Sequence, residues 1–184
     1  SMINTWVATR SGEGYTDDSK KWLTECFDEY VGPALKCFRK MLTSIPQEET
    51  TLVGNLLKLL ETTLTPNELS SQRNCAITFS FCAVWALGSS LGVGDDGKDY
   101  KKTFSEWWKK TFRNVQFPTK DTVFDYWLDT ESMSFESWKS SPAFSEVSFN
   151  SREMNMSDVP VPTGESASVS FWLGRLIAGH HCAV

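Results

Sequence analysis

Apolar residues recur at three- and four-residue steps through the first half of the chain. Trp22, Cys26, Phe27, Tyr30, Ala34, Leu35, Phe38, Met41 and Leu42 make one stripe, the spacing of a helix with one buried face. Asp17-Asp18-Ser19 offers capping side chains and negative charge for the exposed amides of its first turn. The stripe is expected to bend or break at Gly32-Pro33, where the ring meets the preceding turn, and to end at Pro46. A second helix is predicted near Thr50 to Leu64 on Leu52, Val53, Leu56, Leu57 and Leu60, with Pro66 closing it. The third, about Asn74 to Leu91, is apolar nearly all round and belongs at the centre of a bundle. Gly94 to Gly97 breaks the chain. The fourth, about Asp99 to Phe112, puts Tyr100, Phe104, Trp107, Trp108 and Phe112 on one side and leaves Lys101, Lys102, Lys109 and Lys110 outside that stripe.

After Pro118 the period shortens. Thr122 to Leu128 is β-branched and aromatic, Asp129 to Ser132 turns, and Ser134 to Trp138 alternates, which predicts a hairpin. Ser140 to Asp158 reads as an irregular connector. Val159-Pro160-Val161-Pro162 must be extended, because each proline restricts itself and the residue before it. Thr163 then caps a helix from about Gly164 to Ala178, with Val169, Trp172, Leu173 and Leu176 on one face and Gly179 ending it. Cys182-Ala183-Val184 reads as the start of a strand. The fold class is mainly α: a helical bundle, a β-hairpin, and an extended arm that ends in a helix.

Composition narrows the function classes. The chain has 184 residues, one domain or one domain plus an arm by length. With 40 % hydrophobic and 13 % aromatic residues it can offset the entropy of ordering, so disorder is excluded. A net charge of −5 argues against a surface that tracks phosphates, and hence against nucleic acid as partner. No apolar run reaches 18 residues, so no membrane span is expected, and no secretory leader is visible. Ser1-Met2 reads as a scar of tag removal. Five cysteines without a CxxC pair, mostly in apolar stripes, suit buried thiols in a reducing compartment.

No complete catalytic constellation emerges. His180 and His181 are adjacent and diverge on an extended chain, so with Cys182 they make a weak metal candidate. Cys26, Cys37, Cys75 and Cys82 read as small buried hydrophobes, not as nucleophiles. The pairs Asp17-Asp18, Glu48-Glu49 and Asp95-Asp96 lie in or near turns, where a carboxylate is solvated or caps a helix. The lysines flanking Trp107-Trp108 read as a solvated helix face. Gly92 to Gly97 lacks the lysine and spacing of a phosphate cradle.

Several phrases, in order, resemble dynein heavy chains of the axonemal type. They are Tyr30-Val31-Gly32-Pro33-Ala34-Leu35 with Phe38-Arg39; Leu52-Val53 through Glu61; Phe81-Cys82-Ala83-Val84-Trp85-Ala86-Leu87-Gly88; Phe104-Ser105-Glu106-Trp107-Trp108; Phe117-Pro118; Val123-Phe124-Asp125-Tyr126; and Val161-Pro162-Thr163. The resemblance runs from about residue 20 to 184, and is closest to the stretch from the second AAA+ module of the motor ring to the third. It implies that residues 1–16 exit the preceding module, 17–113 form a four-helix lid-type bundle, 114–158 are hairpin and connector, and 159–184 open the next module. It further implies Val161, Pro162 and Thr163 on the adenine side of that module's nucleotide site, and Arg73 as the lid arginine of the module before. A segment of this kind carries no catalytic residue and no resident cofactor. ATP or ADP with magnesium would belong to the parent ring. Neighbouring AAA+ modules of the same chain would be its partners; microtubules and other dynein chains would be those of the parent, in a ciliary or flagellar axoneme or alternatively in the cytoplasm. The competing expectation is a stand-alone α-helical interaction module with a sealed surface and a Trp-lined groove.

Overall fold

The computed structural model describes residues 2–41, 47–144 and 162–179. It opens with a helix that the sequence pattern did not announce, α1 (Met2–Thr9), which buries Trp6 and Val7. Eight residues carry too short a period to be recognised. Tertiary contact holds it instead: Trp6 packs edge-on against Phe27 at 5.9 Å and donates its indole N–H to Glu61 at 2.7 Å.

Helix α2 (Asp17–Cys26) begins one residue earlier than Asp17-Asp18-Ser19 suggested, because Thr16 is the cap. The Thr16 hydroxyl accepts from the Ser19 N–H at 3.1 Å, and the Ser19 hydroxyl accepts from the Thr16 N–H at 2.8 Å. Two orphan donors are thereby satisfied reciprocally. At Gly32-Pro33, where a bend or break was expected, the helix is not interrupted but changes its winding just before the proline. A wide π turn, Phe27–Val31, leads without interruption into α3 (Gly32–Phe38). Widening the turn ahead of Pro33 accommodates a residue that lacks an N–H and whose ring would press on an α-helical carbonyl. Leu42 and the proposed end at Pro46 lie outside the described residues.

Helices α4 (Glu49–Thr63), α5 (Gln72–Gly88) and α6 (Tyr100–Thr111) fall within two or three residues of their predicted limits. Ser71 and Asp99 cap the last two by accepting from Asn74 N–H at 3.1 Å and Lys102 N–H at 3.0 Å. As its all-round hydrophobicity predicts, α5 is the centre: Phe79, Phe81, Cys82, Val84 and Leu87 are fully buried, with α2, α3 and α4 packed about it, while α6 packs on α3 and brings Phe104 against α5 at Gly88.

The hairpin is shorter than its β-branched run. Strands β1 (Tyr126–Asp129) and β2 (Ser134–Ser137) pair antiparallel, with Tyr126 opposite Ser137 and Asp129 opposite Ser134. Val123–Asp125 and Trp138–Ser140 are 3-10 turns flanking them. Val123 and Phe124 are both buried, and successive strand residues face opposite ways, so a strand would leave one of them in water. Trp138 closes the arrangement by donating its indole N–H to the Phe124 carbonyl at 2.8 Å.

The connector beyond Phe144, the arm through Val161 and the strand expected at Cys182 fall outside the described residues. Helix α7 (Gly164–Ala178) begins at Thr163 as predicted, capped reciprocally with Ser166, and Gly179 is its C-terminal cap. Its buried face is the predicted one at Trp172 and Leu176 but is turned away from Val169 and Leu173. Ala167, Ser168, Trp172 and Leu176 face the core, whereas Val169 and Leu173 are 51 % and 39 % exposed, with Ile177 at 68 % beside them. No helix among the described residues is long and apolar enough to cross a membrane.

Candidate functional site

Arg73 lies in the first turn of α5, exposed, with no hydrogen bond or ion pair among the described residues. It borders an open groove of about 330 Å³ together with Trp22, Glu25, Glu29 and Asn114. Val161 is outside the described residues. Pro162 is half-buried, and the Thr163 hydroxyl is committed to the Ser166 N–H at 3.1 Å. A side chain on Gly164 would touch Trp138 at 3.5 Å, and Trp138 packs edge-on to Trp85 at 5.8 Å. Trp85 stands twelve residues beyond Arg73 on α5, about 18 Å of helix rise. The structure therefore does not bring Arg73 and Pro162-Thr163 to one site; they lie towards opposite ends of α5.

The remaining chemical candidates resolve into structural roles. Cys26, Cys75 and Cys82 are buried and Cys37 half-buried, all as free thiols. Burial pushes the Cys82 thiol up to about 12 and that of Cys37 to about 11, the reverse of an activated nucleophile. Asp17 and Asp18 occupy the first turn of α2. Glu49 is bound through both carboxylate oxygens to Arg39, one contact measuring 2.8 Å, and that hydrogen bonding lowers its pKa. Asp96 accepts from the Tyr100 hydroxyl at 2.7 Å, which lowers its pKa and raises that of Tyr100. Among the described residues no three His, Cys, Asp or Glu converge as a metal site. His180, His181 and Cys182 lie outside them.

Two of the four α6 lysines do not form the solvated face expected of them. The Lys109 ammonium donates to the carbonyls of Pro118 and Asp121 at 2.6 and 2.8 Å, tying down the turn into the hairpin, and burial lowers its pKa. Lys101 lies over the Phe124 ring at 5.0 Å. Sequence reasoning also passed over Arg175. Its guanidinium donates to the Thr62 carbonyl at 3.0 Å, and its pKa is lowered chiefly by burial. A lone basic residue within a helical pattern gives no sign of a partner 113 positions away.

An apolar groove of about 350 Å³ runs between α4, α5 and α7, lined by Leu59, Trp85, Trp172, Leu173 and Leu176. Trp172 stacks on Phe81 at 5.1 Å, and Phe171 meets Trp138 edge-on at 5.4 Å. These aromatic contacts fix α7 on the helical body. What the described residues offer is packing, caps and clasps. No proton relay or activated nucleophile is assembled among them.

Comparison with known proteins follows the same outline. The family profile of the dynein heavy chain AAA lid domain matches residues 23–140, which run from α2 through the hairpin. The chain is 32 % identical over 160 residues, 85 % of its length, to the dynein alpha chain of the flagellar outer arm of Chlamydomonas reinhardtii. It is 32 % identical over 182 residues to the ciliary dynein beta chain of Tripneustes gratilla, and 33 % over 180 residues to human dynein axonemal heavy chain 9, each match covering 96 % of the chain. It spans only 4 % of the length of each of these relatives. The order of helices, the hairpin that follows them and the match over both place the chain in the dynein heavy chain AAA lid domain family.

Proposed function

We propose that this chain is a non-catalytic, structural element of a dynein heavy chain motor ring, the helical lid of the second AAA+ module together with the opening of the third. The carrying observation is that the family match, residues 23–140, coincides with the helical body and its hairpin. In this reading residues 17–113 are a four-helix lid-type bundle, in which α2 and α3 count as one rod. Residues 1–16 arrive from the preceding module, 114–158 connect, and 159–184 begin the next. The parent would hydrolyse ATP to step along microtubules in a ciliary or flagellar axoneme, the setting printed in the names of its relatives.

The residues present suit only the edges of a nucleotide. Pro162 offers an apolar wall for a purine, whereas the Thr163 side chain is already engaged in its cap. Arg73 is an exposed guanidinium able to meet a phosphate from the lid side. Neither arrangement holds a triphosphate with its magnesium, which needs a lysine, backbone amides and a metal-binding acid around the phosphates. Those groups would come from other parts of the parent. Nucleotide chemistry would reach this segment as displacement, and a close-packed aromatic body passes displacement on instead of absorbing it.

A self-contained interaction module would seal its apolar surface. Helix α7 instead leaves Val169, Leu173 and Ile177 exposed along one side, which favours a segment that continues into further structure. Reading the parent transcript for about thirty codons past Val184 tests the proposal. A strand running into GxxxxGK[ST] supports it; a stop codon overturns it and leaves an independent helical module.

A further inference from the structure

The last turn of α4 receives contacts from both flanking elements. On one side α1 reaches it: the Arg10 guanidinium pairs with the Glu61 carboxylate at 2.8 Å, and the Trp6 indole N–H donates to the same carboxylate at 2.7 Å. Arg10 also lies over the Trp6 ring at 4.9 Å, so the two α1-side groups are ordered by each other as well as by Glu61. On the other side α7 reaches the next residue, where Arg175 donates to the Thr62 carbonyl at 3.0 Å.

These contacts suit the end of a helix. The final carbonyls of α4 have no partner within the helix, and the negative end of its dipole faces them. A guanidinium there satisfies a carbonyl and sits in a favourable field. Phe171, with its ring 4.6 Å from the Arg175 guanidinium carbon, covers it from water. Beyond the helix end the turn is braced from within, because Glu68, only 2 % exposed, accepts from the Thr65 N–H at 2.9 Å. The acceptors at positions 61 and 62 are therefore held by a stiff frame. Both arginines lie outside the helical body, and both point their only charged groups at it.

We infer that the last turn of α4 is a junction coupling α1 to α7, so that the elements before and after the helical body respond to one another through Glu61 and Thr62. That these elements belong to adjoining modules of a ring rests on the function proposed above; the coupling itself is a property of this chain. Amide hydrogen exchange on the 184-residue chain tests it, with Arg175→Met keeping most of the side-chain volume. The expected result is faster exchange in α7, by about tenfold, accompanied by a smaller acceleration in α1, while the centre of α5 keeps its protection. Glu61→Gln should act in the opposite direction, releasing α1 first and α7 to a lesser degree. Ser170→Lys, at an exposed position of α7 outside the groove, serves as control and should leave both helices unchanged. Release of α7 with α1 untouched would overturn the junction, since the two clasps would then be independent. Equal loss of protection in α1, α5 and α7 would overturn it too, because Arg175 would then support the whole fold. Either failure leaves the ring assignment standing, as that depends on the sequence beyond Val184.

Discussion

A methyl group on Gly88 would stand 2.7 Å from ring carbons of both Phe104 and Phe124. Helix propensity favours alanine by about 1 kcal/mol, but overpacking a buried site costs about 1–3 kcal/mol. Gly88→Ala is therefore expected to lower the urea midpoint, and a midpoint at or above that of the parent chain would refute the close approach. Cys82 makes a second claim at this scale. Its folded pKa of about 12 exceeds the ordinary thiol value of 9.0 because burial disfavours the thiolate. The associated stability is fully present below pH 9 and is lost as pH rises towards 12, because the unfolded chain releases the proton first. Cys82→Ala should flatten that alkaline slope in a denaturation series. Neither residue's surroundings could be read from sequence: Gly88 and Cys82 sit in an apolar run whose period names the buried helix but not its neighbours.

Among the elements, those with a long, regular period were legible. Helices α4, α5 and α6 follow directly from their stripes, and the Thr163 cap of α7 follows from its hydroxyl and the prolines before it. What escaped was whatever depended on contacts distant in sequence. The eight residues of α1 are held by Glu61, the face of α7 was decided by Phe81 and Trp138, and Val123-Phe124 turned inward instead of extending. For the hairpin, Trp138→Phe would strand the buried Phe124 carbonyl and should cost about 1–3 kcal/mol; an unchanged thermal midpoint would show that bond to be dispensable. The π turn permits a sharper trial. Removing Asp28, an exposed residue of that turn, would return the segment to α-helical spacing and set the Pro33 ring against a carbonyl, costing about 3 kcal/mol or more. Adding Pro33→Ala to the deletion should recover most of the loss. Equal midpoints for the two variants would mean that the ring is not what the wide turn accommodates.

At the scale of the molecule, the proposed sites were legible only by their position in a family pattern. Arg73 and Pro162-Thr163 carry no local signal of function, and the structure sets them towards opposite ends of α5. The exposed line Val169, Leu173, Ile177 makes the remaining prediction: Leu173→Lys should leave the thermal midpoint within about 0.5 kcal/mol of parent stability and reduce self-association by analytical ultracentrifugation. Unaltered association would remove that line as an adhesive surface. The convergence of Trp6, Arg10 and Arg175 on Glu61 and Thr62 has a consequence under tension. Part of a pull applied between the two clasped helices would pass through the single peptide unit that joins Glu61 to Thr62 in α4. The rest would reach the central helix through Phe81 and Trp85, which hold Trp172, so α7 should come away only when its arginine clasp and its aromatic seat give way together.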